Sequence, residues 1–238
     1  MVDMDGTLCD YAGEMNRELA LLRSPDEPDV GLHHGPDEPA WLRARRQLIQ
    51  QRPGWWRELP RLERGFAVVE VMRRLWFDLH ILTKGPWGNA VAWSEKVSWC
   101  RAHVPDATLH ISEDKGLVYG KVLMDDYPGY IARWLAWRPR GLVIMPVWSW
   151  NHDAFADDPR VLPFDGTNLA EVEDRLWAVR QTSLYTEAPA SRAASAEEPC
   201  ARCGKPLGGH PRDLAALDGD RQPWLRVACD GERVATGG

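Results

Sequence analysis

Two aspartates stand two residues apart at the start of the chain, in "MVDMDGTLCD". An apolar start that runs into D-x-D-G-T reads as the end of a strand passing into a glycine-bearing turn. Side chains alternate along an extended segment, so Asp3 and Asp5 leave it on the same side. Carboxylates placed together repel each other unless a cation or a shared proton offsets the cost. A second acidic pair, Asp125 and Asp126, ends the apolar run "KVLMDD"; Thr83 ends "FDLHILT", and Lys115 stands ten residues before Asp125. Taken singly, these residues have plainer readings: turn aspartates, a helix-capping threonine, a solvated loop lysine. Taken together, four carboxylates, a hydroxyl and an ammonium suit a hard cation such as Mg²⁺, which prefers oxygen ligands.

Such residues do chemistry only if the fold gathers them. Residues 1 to 8 read as the first strand and its turn. Only Met1 and Val2 precede Asp3, so that strand is very short or begins upstream of Met1. Residues 9 to about 60 are polar, with "SPDEPDVGLHHGPDEPAW" as loop and "AWLRARRQLIQQ" as a helix. From about 60 to 180, helices alternate with short apolar runs. "GFAVVEVMRRLW" and "NAVAWSEKVSWCRAHV" read as helices; "FDLHILT", "ATLHIS", "KVLMDD" and "GLVIMPV" read as strands. Strands separated by helices of this length make βαβ units and a mainly parallel sheet, with the working residues at the carboxyl ends of the strands. That rule collects Asp3, Asp5, Thr83, Asp125 and Asp126 at one edge, with Lys115 in the loop before the last pair.

Composition narrows the function classes. The chain has 238 residues and a net charge of −6, which argues against bulk binding to a nucleic-acid backbone. Arg43, Arg45 and Arg46 form a local basic patch whose plain reading is a solvated helix face. No apolar run reaches membrane-span length and no signal segment precedes Asp3, so the expected location is cytoplasmic. The 13 tryptophans are expected to serve mainly in packing, and the five cysteines, an odd number, do not suggest a disulfide framework. Cys9 and Cys100 read as packing residues.

The motifs carry a resemblance. "DMDGT", "ILT", Lys115 and "LMDD" resemble, in order, the four motifs of the haloacid dehalogenase (HAD)-type phosphatase superfamily. The chain is more closely similar to the 5'(3')-deoxyribonucleotidase family in its "VDMDG" opening, "ELP", "AWSEK", the lysine ten residues before "DD", and "GLVIMPVWSWN". The likeness covers about residues 1 to 180. It implies an α/β fold, a Rossmann-like mainly parallel sheet with a small helical cap inserted after the first strand at about residues 9–62. It also implies phosphate-ester hydrolysis of (deoxy)nucleoside monophosphates. Asp3 would be the nucleophile and Asp5 the general acid and base. Mg²⁺ would be held by Asp3, the backbone carbonyl of Asp5, Asp125 and Asp126. Thr83 and Lys115 would bind phosphoryl oxygens, with Lys115 also paired to Asp3.

Substrate-binding candidates are Tyr11, Lys84, and Trp55 or Trp56 in "PGWWRELP", whose rings are able to stack on a base or to fill a cap core. "LTKGPWG" departs from the serine-containing loop that the family leads one to expect after motif II. The expected partner is a small-molecule nucleotide; a membrane is not expected, and a homodimer stays open. After residue 180, "TSLYTEAPASRAASAEEP" reads as a disordered linker over 181–199. Cys200, Cys203, His210 and Cys229 follow, and three thiolates with an imidazole suit a structural Zn²⁺ site; free thiols on a floppy tail are the alternative. Two other function classes compete: a polynucleotide-end phosphatase, which needs a basic groove, and a non-catalytic binding protein using the tail, which needs a missing catalytic residue.

Overall fold

The structure, a computed structural model, describes residues 1–28, 31–32 and 38–186. The zinc candidates and the linker beyond Thr186 lie outside the described residues. Residues Met1–Thr182 form one unit, which holds every motif discussed below.

The fold is mixed α/β. Its strands are His80–Thr83 (β1), Thr108–Ile111 (β2), Val122–Met124 (β3), Leu142–Pro146 (β4) and Val161–Phe164 (β5). β1 pairs with β2, and β3, β4 and β5 pair in that order, every pairing being parallel. The expected first strand is reduced to a short paired segment between these two groups. Val2 bridges Ile81 on one side and Met124 on the other. Its N–H donates to His80 O at 2.8 Å and its carbonyl accepts from Leu82 N–H at 2.8 Å. On the far side, Asp3 N–H donates to Met124 O at 2.8 Å and Met1 O accepts from Met124 N–H at 2.9 Å. The lateral order is therefore β2, β1, residues 1–3, β3, β4, β5. The chain moves outward in one direction and then crosses to the other side, which places the topological switch point beside Asp3.

Among the described residues six α-helices accompany these strands: Tyr11–Leu21 (α1), Ala40–Gln51 (α2), Glu63–Arg74 (α3), Ala90–His103 (α4), Pro128–Ala136 (α5) and Leu169–Thr186 (α6). α3 forms because Phe66, Val69 and Met72 recur every three residues beside Val68 and Val71, and this stripe is buried. α4 starts where the Asn89 side chain accepts from Ala92 N–H at 3.0 Å, satisfying an orphan amide. α5 begins at Pro128, inside "DDYPGY", for which the plain reading is only an acidic turn. Proline is tolerated in a first turn because that N–H lacks a helical partner anyway. α6 continues through Thr186 and so overruns the start expected for the linker; the spacing of Leu169, Val172, Leu176 and Val179 carries the helix forward.

Trp99 on α4 shows how the core holds the sheet to the insertion. It is fully buried, and its indole N–H donates to Leu59 O at 2.8 Å. Trp99→Ala would open a cavity and orphan that carbonyl. The expected loss is about 3–5 kcal/mol in denaturant unfolding.

The segment between residues 9 and 62 leaves and returns through a neck. Cys9 bridges Arg61 in antiparallel fashion, Asp10 N–H donates to Pro60 O at 2.8 Å, and Leu62 N–H donates to Leu8 O at 2.8 Å. Above the neck, Glu18 of α1 receives both guanidinium arms of Arg52 at 2.8 and 2.9 Å. The basic patch of α2 is not a bare solvated face. Arg45 pairs with Glu27 at 2.7 Å, and Arg43 and Arg46 both reach Glu38, at 3.3 and 2.7 Å. Glu27 stands in "SPDEP" and Glu38 two residues before α2, and neither pairing is legible in the sequence.

Candidate active site

Asp3 follows the central paired segment directly, so the sheet itself fixes where its carboxylate emerges. Asp3 is buried, and its Oδ1 accepts from Met4 N–H at 2.8 Å. Lys115, at the head of a single 3₁₀ turn (Lys115–Leu117), is 1% exposed. Its ammonium lies 2.8 Å from Asp3 Oδ1 and 2.6 Å from Asp125 Oδ2. Arg138 holds that turn from behind, donating to Gly116 O at 2.9 Å and Val118 O at 2.6 Å. Asp125 and Asp126 emerge just past β3, and one oxygen from each of Asp3, Asp125 and Asp126 lies within 4.8 Å of the others. Gly6 makes this approach possible: its φ is +70°, and a Cβ there would lie 2.1 Å from Asp126 Oδ2.

The electrostatics are those of a site short of positive charge. Burial pushes the Asp3 carboxyl up to about 7 against the pull of Lys115, with Asp125 and Asp5 adding to the rise. Burial, then the charges of Asp125 and Asp3, pushes Asp126 well above the carboxylate range. Burial works to lower Lys115, yet Asp125 and Asp3 hold its ammonium above the ordinary lysine value. Of the three buried carboxylates, Asp3 and Asp125 share the Lys115 ammonium, and a divalent hard cation would supply the missing charge through all-oxygen ligands. The three carboxylates could hold a metal ion, and their oxygens suit a hard cation.

Asp5 stands apart from that cluster. Its side chain is 27% exposed, lines the cavity and pairs with Lys96. Lys96 itself is fully buried within α4 and also donates to Thr83 Oγ1 at 3.0 Å. Thr83 thus reaches the same edge as the aspartates, but its hydroxyl is buried against Lys96. The preceding residue, Glu95, accepts from the backbone N–H groups of Gly54 at 2.5 Å and Trp56 at 3.2 Å. One turn of α4 therefore holds Asp5 with one side chain and the "PGWW" loop with the next. Sequence reasoning missed Lys96, because a lysine within a helix ordinarily reads as solvated. The available signal was its place in "AWSEK".

A cavity of about 290 Å³ opens over Asp3, Asp5 and Asp126. Tyr11, Arg46, Gln50 and Trp56 line it from the insertion, and Lys84 lines it from the loop after β1. Tyr11 Oη accepts from Gln50 Nε2 at 2.8 Å. Trp56 is nearly sealed, at 3% exposed. Tyr11 stacks on it with centroids 5.5 Å apart, Trp55 meets it edge-on at 4.8 Å, and the Lys96 ammonium lies 4.6 Å from its ring centre. Trp55 is equally buried. Lys84 is exposed, with its ammonium 5.7 Å from the Tyr130 ring centre.

The loop after β4 ties the two acidic turns together. Asn151 is buried and donates to Asp126 O at 2.8 Å and Pro146 O at 3.0 Å, while its Oδ1 accepts from Trp148 N–H at 2.7 Å. The Trp148 indole N–H donates to Gly6 O at 3.0 Å, and the Arg64 guanidinium lies 3.9 Å over that indole. "MPVWSWN" is legible as a strand ending in a polar loop; that the loop clamps Gly6 and Asp126 is not. No protein-family model matches this chain and no curated protein matches it, so the functional reading rests on this geometry and on the motifs.

Proposed function

We propose that the chain is a Mg²⁺-dependent phosphomonoester hydrolase of the HAD type, acting on (deoxy)nucleoside monophosphates through an aspartyl-phosphate. The observation that carries this reading is the division of labour among the carboxylates. Asp3 is buried in a cluster with Asp125 and Asp126 and bound by Lys115, while Asp5 faces the cavity on its own lysine.

Asp3, Asp125 and Asp126 would hold the metal, with the Asp5 carbonyl as the further ligand that the resemblance implies. Bound Mg²⁺ supplies charge screening and orientation of the phosphoryl group. An Asp3 oxygen attacks phosphorus, forming the acyl phosphate as the bond to the leaving oxygen breaks. Asp5 gives that oxygen a proton. In the second step Asp5 takes a proton from water, which attacks phosphorus and frees Asp3 and inorganic phosphate. Lys115 favours the ionised, attacking form of Asp3, and Lys96 fixes the direction of the Asp5 carboxyl. The ion-paired state of Arg43, Arg45 and Arg46 weighs against the polynucleotide-end alternative, since each guanidinium is already engaged by a glutamate. Among the described residues no helix is long and apolar enough to cross a membrane.

The test is phosphate release from a panel of deoxy- and ribonucleoside monophosphates, with Mg²⁺ present and after chelation. Activity that requires Mg²⁺ supports the reading; release unaffected by chelation overturns it. Asn151 offers a separate check on the metal site. Asn151→Ala would free the turns carrying Asp126 and Gly6, and losses of support of this kind weaken metal binding about 10–100-fold. The expected outcome is a matching rise in the Mg²⁺ concentration needed to raise the melting temperature.

A further inference from the structure

The cavity has a second aromatic lining that the insertion does not supply. Tyr127, just before α5, Tyr130, in its first turn, and Trp150, from the loop after β4, all line it. Tyr127 lies 4.8 Å from Tyr130 and 6.2 Å from Trp150, centroid to centroid. These rings differ from Trp56 in what remains open. The Trp56 ring is enclosed by Tyr11, Trp55 and Lys96, whereas Tyr127 is 40% exposed. Tyr130 is engaged by the ammonium groups of Lys115 and Lys84, at 4.7 and 5.7 Å from its centre. Tyr127 thus has surface left to offer.

Its placement is also fixed relative to the reacting centre. The Tyr127 backbone N–H donates to Asp125 Oδ1 at 2.9 Å, so the ring springs from the turn that carries the acidic pair. Asp3 and Tyr127 line the same cavity, so a ligand whose phosphate reaches Asp3 shares that cavity with this ring. Exposed aromatic surface beside a polar reaction centre favours a flat, polarisable group, because stacking buries both faces while leaving polar edges in water. Lys84, which has no carboxylate partner among the described residues, stands beside Tyr130 and offers a cation to the same ligand.

We infer that Tyr127, flanked by Trp150, is the platform on which the base of a nucleoside monophosphate stacks, so that base recognition comes from the sheet-side loops and not from Trp55 and Trp56. This inference rests on the proposed nucleotide substrate, and it makes Tyr127 and Trp150 specificity-determining residues. Stacking is tolerant of base identity, since every base has a flat face. The base should therefore add affinity for purines and pyrimidines alike over the same sugar phosphate without a base.

The experiment is calorimetric binding to the full chain carrying Asp3→Asn, with Mg²⁺ present, so that no turnover is needed. The probes are thymidine 5'-monophosphate, deoxyadenosine 5'-monophosphate and deoxyribose 5-phosphate. Both nucleotides are expected to bind about ten-fold or more tightly than deoxyribose 5-phosphate, as one stacked base supplies. Tyr127→Leu and Trp150→Leu should each shrink that ratio, and Tyr127→Phe should keep it. An unchanged ratio in both leucine variants overturns the inference, as does equal binding of all three probes. A ten-fold preference for the nucleotides that the leucine variants shrink, together with no phosphate release by the wild-type chain, would instead overturn the proposed hydrolysis alone, leaving the platform in place.

Discussion

Asp3→Asn keeps the fold and loses phosphate release by about 10⁴-fold or more, the scale on which removal of a nucleophile stops covalent catalysis. The amide preserves shape and is still able to accept from Met4 N–H, so secondary structure should be unchanged. What it removes is the attacking charge and one of three clustered carboxylates. Two readouts follow. Wild-type protein quenched in acid during turnover should carry a phosphoryl group on Asp3, and the variant should carry none. Mg²⁺ at 100 times its dissociation constant should stabilise the wild type by about 2.7 kcal/mol, and the variant by less at the same concentration. Substantial turnover in the variant would exclude attack by Asp3.

The motif carboxylates were legible because each sits at the end of an apolar run, where a parallel sheet must deliver it. Lys115 was legible by its spacing to Asp125. Lys96 was not, because burial of a lysine depends on partners distant in sequence, here Asp5 and Thr83, 91 and 13 residues away. The same reason hid the ion pairs of α2 and the clamp from Trp148 to Gly6. Residues 1–3 gain pairing from β1 and β3 on both sides, which sequence alone does not show. β5 and α5 escaped assignment for local reasons: Pro163 interrupts the pattern of one and Pro128 suggests a turn in the other. Trp56 lines the cavity and Trp55 meets it edge-on, and only the packing around them shows that their rings are enclosed.

Asp5 and Lys96 should fail together in a way that Asp3 and Lys115 do not. Asp5→Asn leaves Asp3, Asp125 and Asp126 in place and removes the proton donor of the first step, a loss of about 10²–10⁴-fold on nucleotides. A substrate with a good leaving group, such as 4-nitrophenyl phosphate, needs little protonation as its bond breaks. Its formation of phosphoryl-enzyme should fall much less, although breakdown of that intermediate should stay slow because Asp5 also serves as the base. Lys96→Met keeps an unbranched apolar stem in the buried position but deprives Asp5 and Thr83 of the ammonium between them. The carboxyl then loses its fixed direction, so the first step should again be impaired for nucleotides more than for 4-nitrophenyl phosphate. Lys115→Met gives the contrast: it strips the cation from Asp3 and Asp125, and both substrates should suffer alike because the nucleophile itself is affected. Rapid-quench measurement of phosphoryl-enzyme formation isolates the step in question. If Lys96→Met depresses both substrates equally there, Lys96 serves the nucleophile or the fold, and the assignment of Asp5 and Lys96 as a proton-transfer pair is wrong.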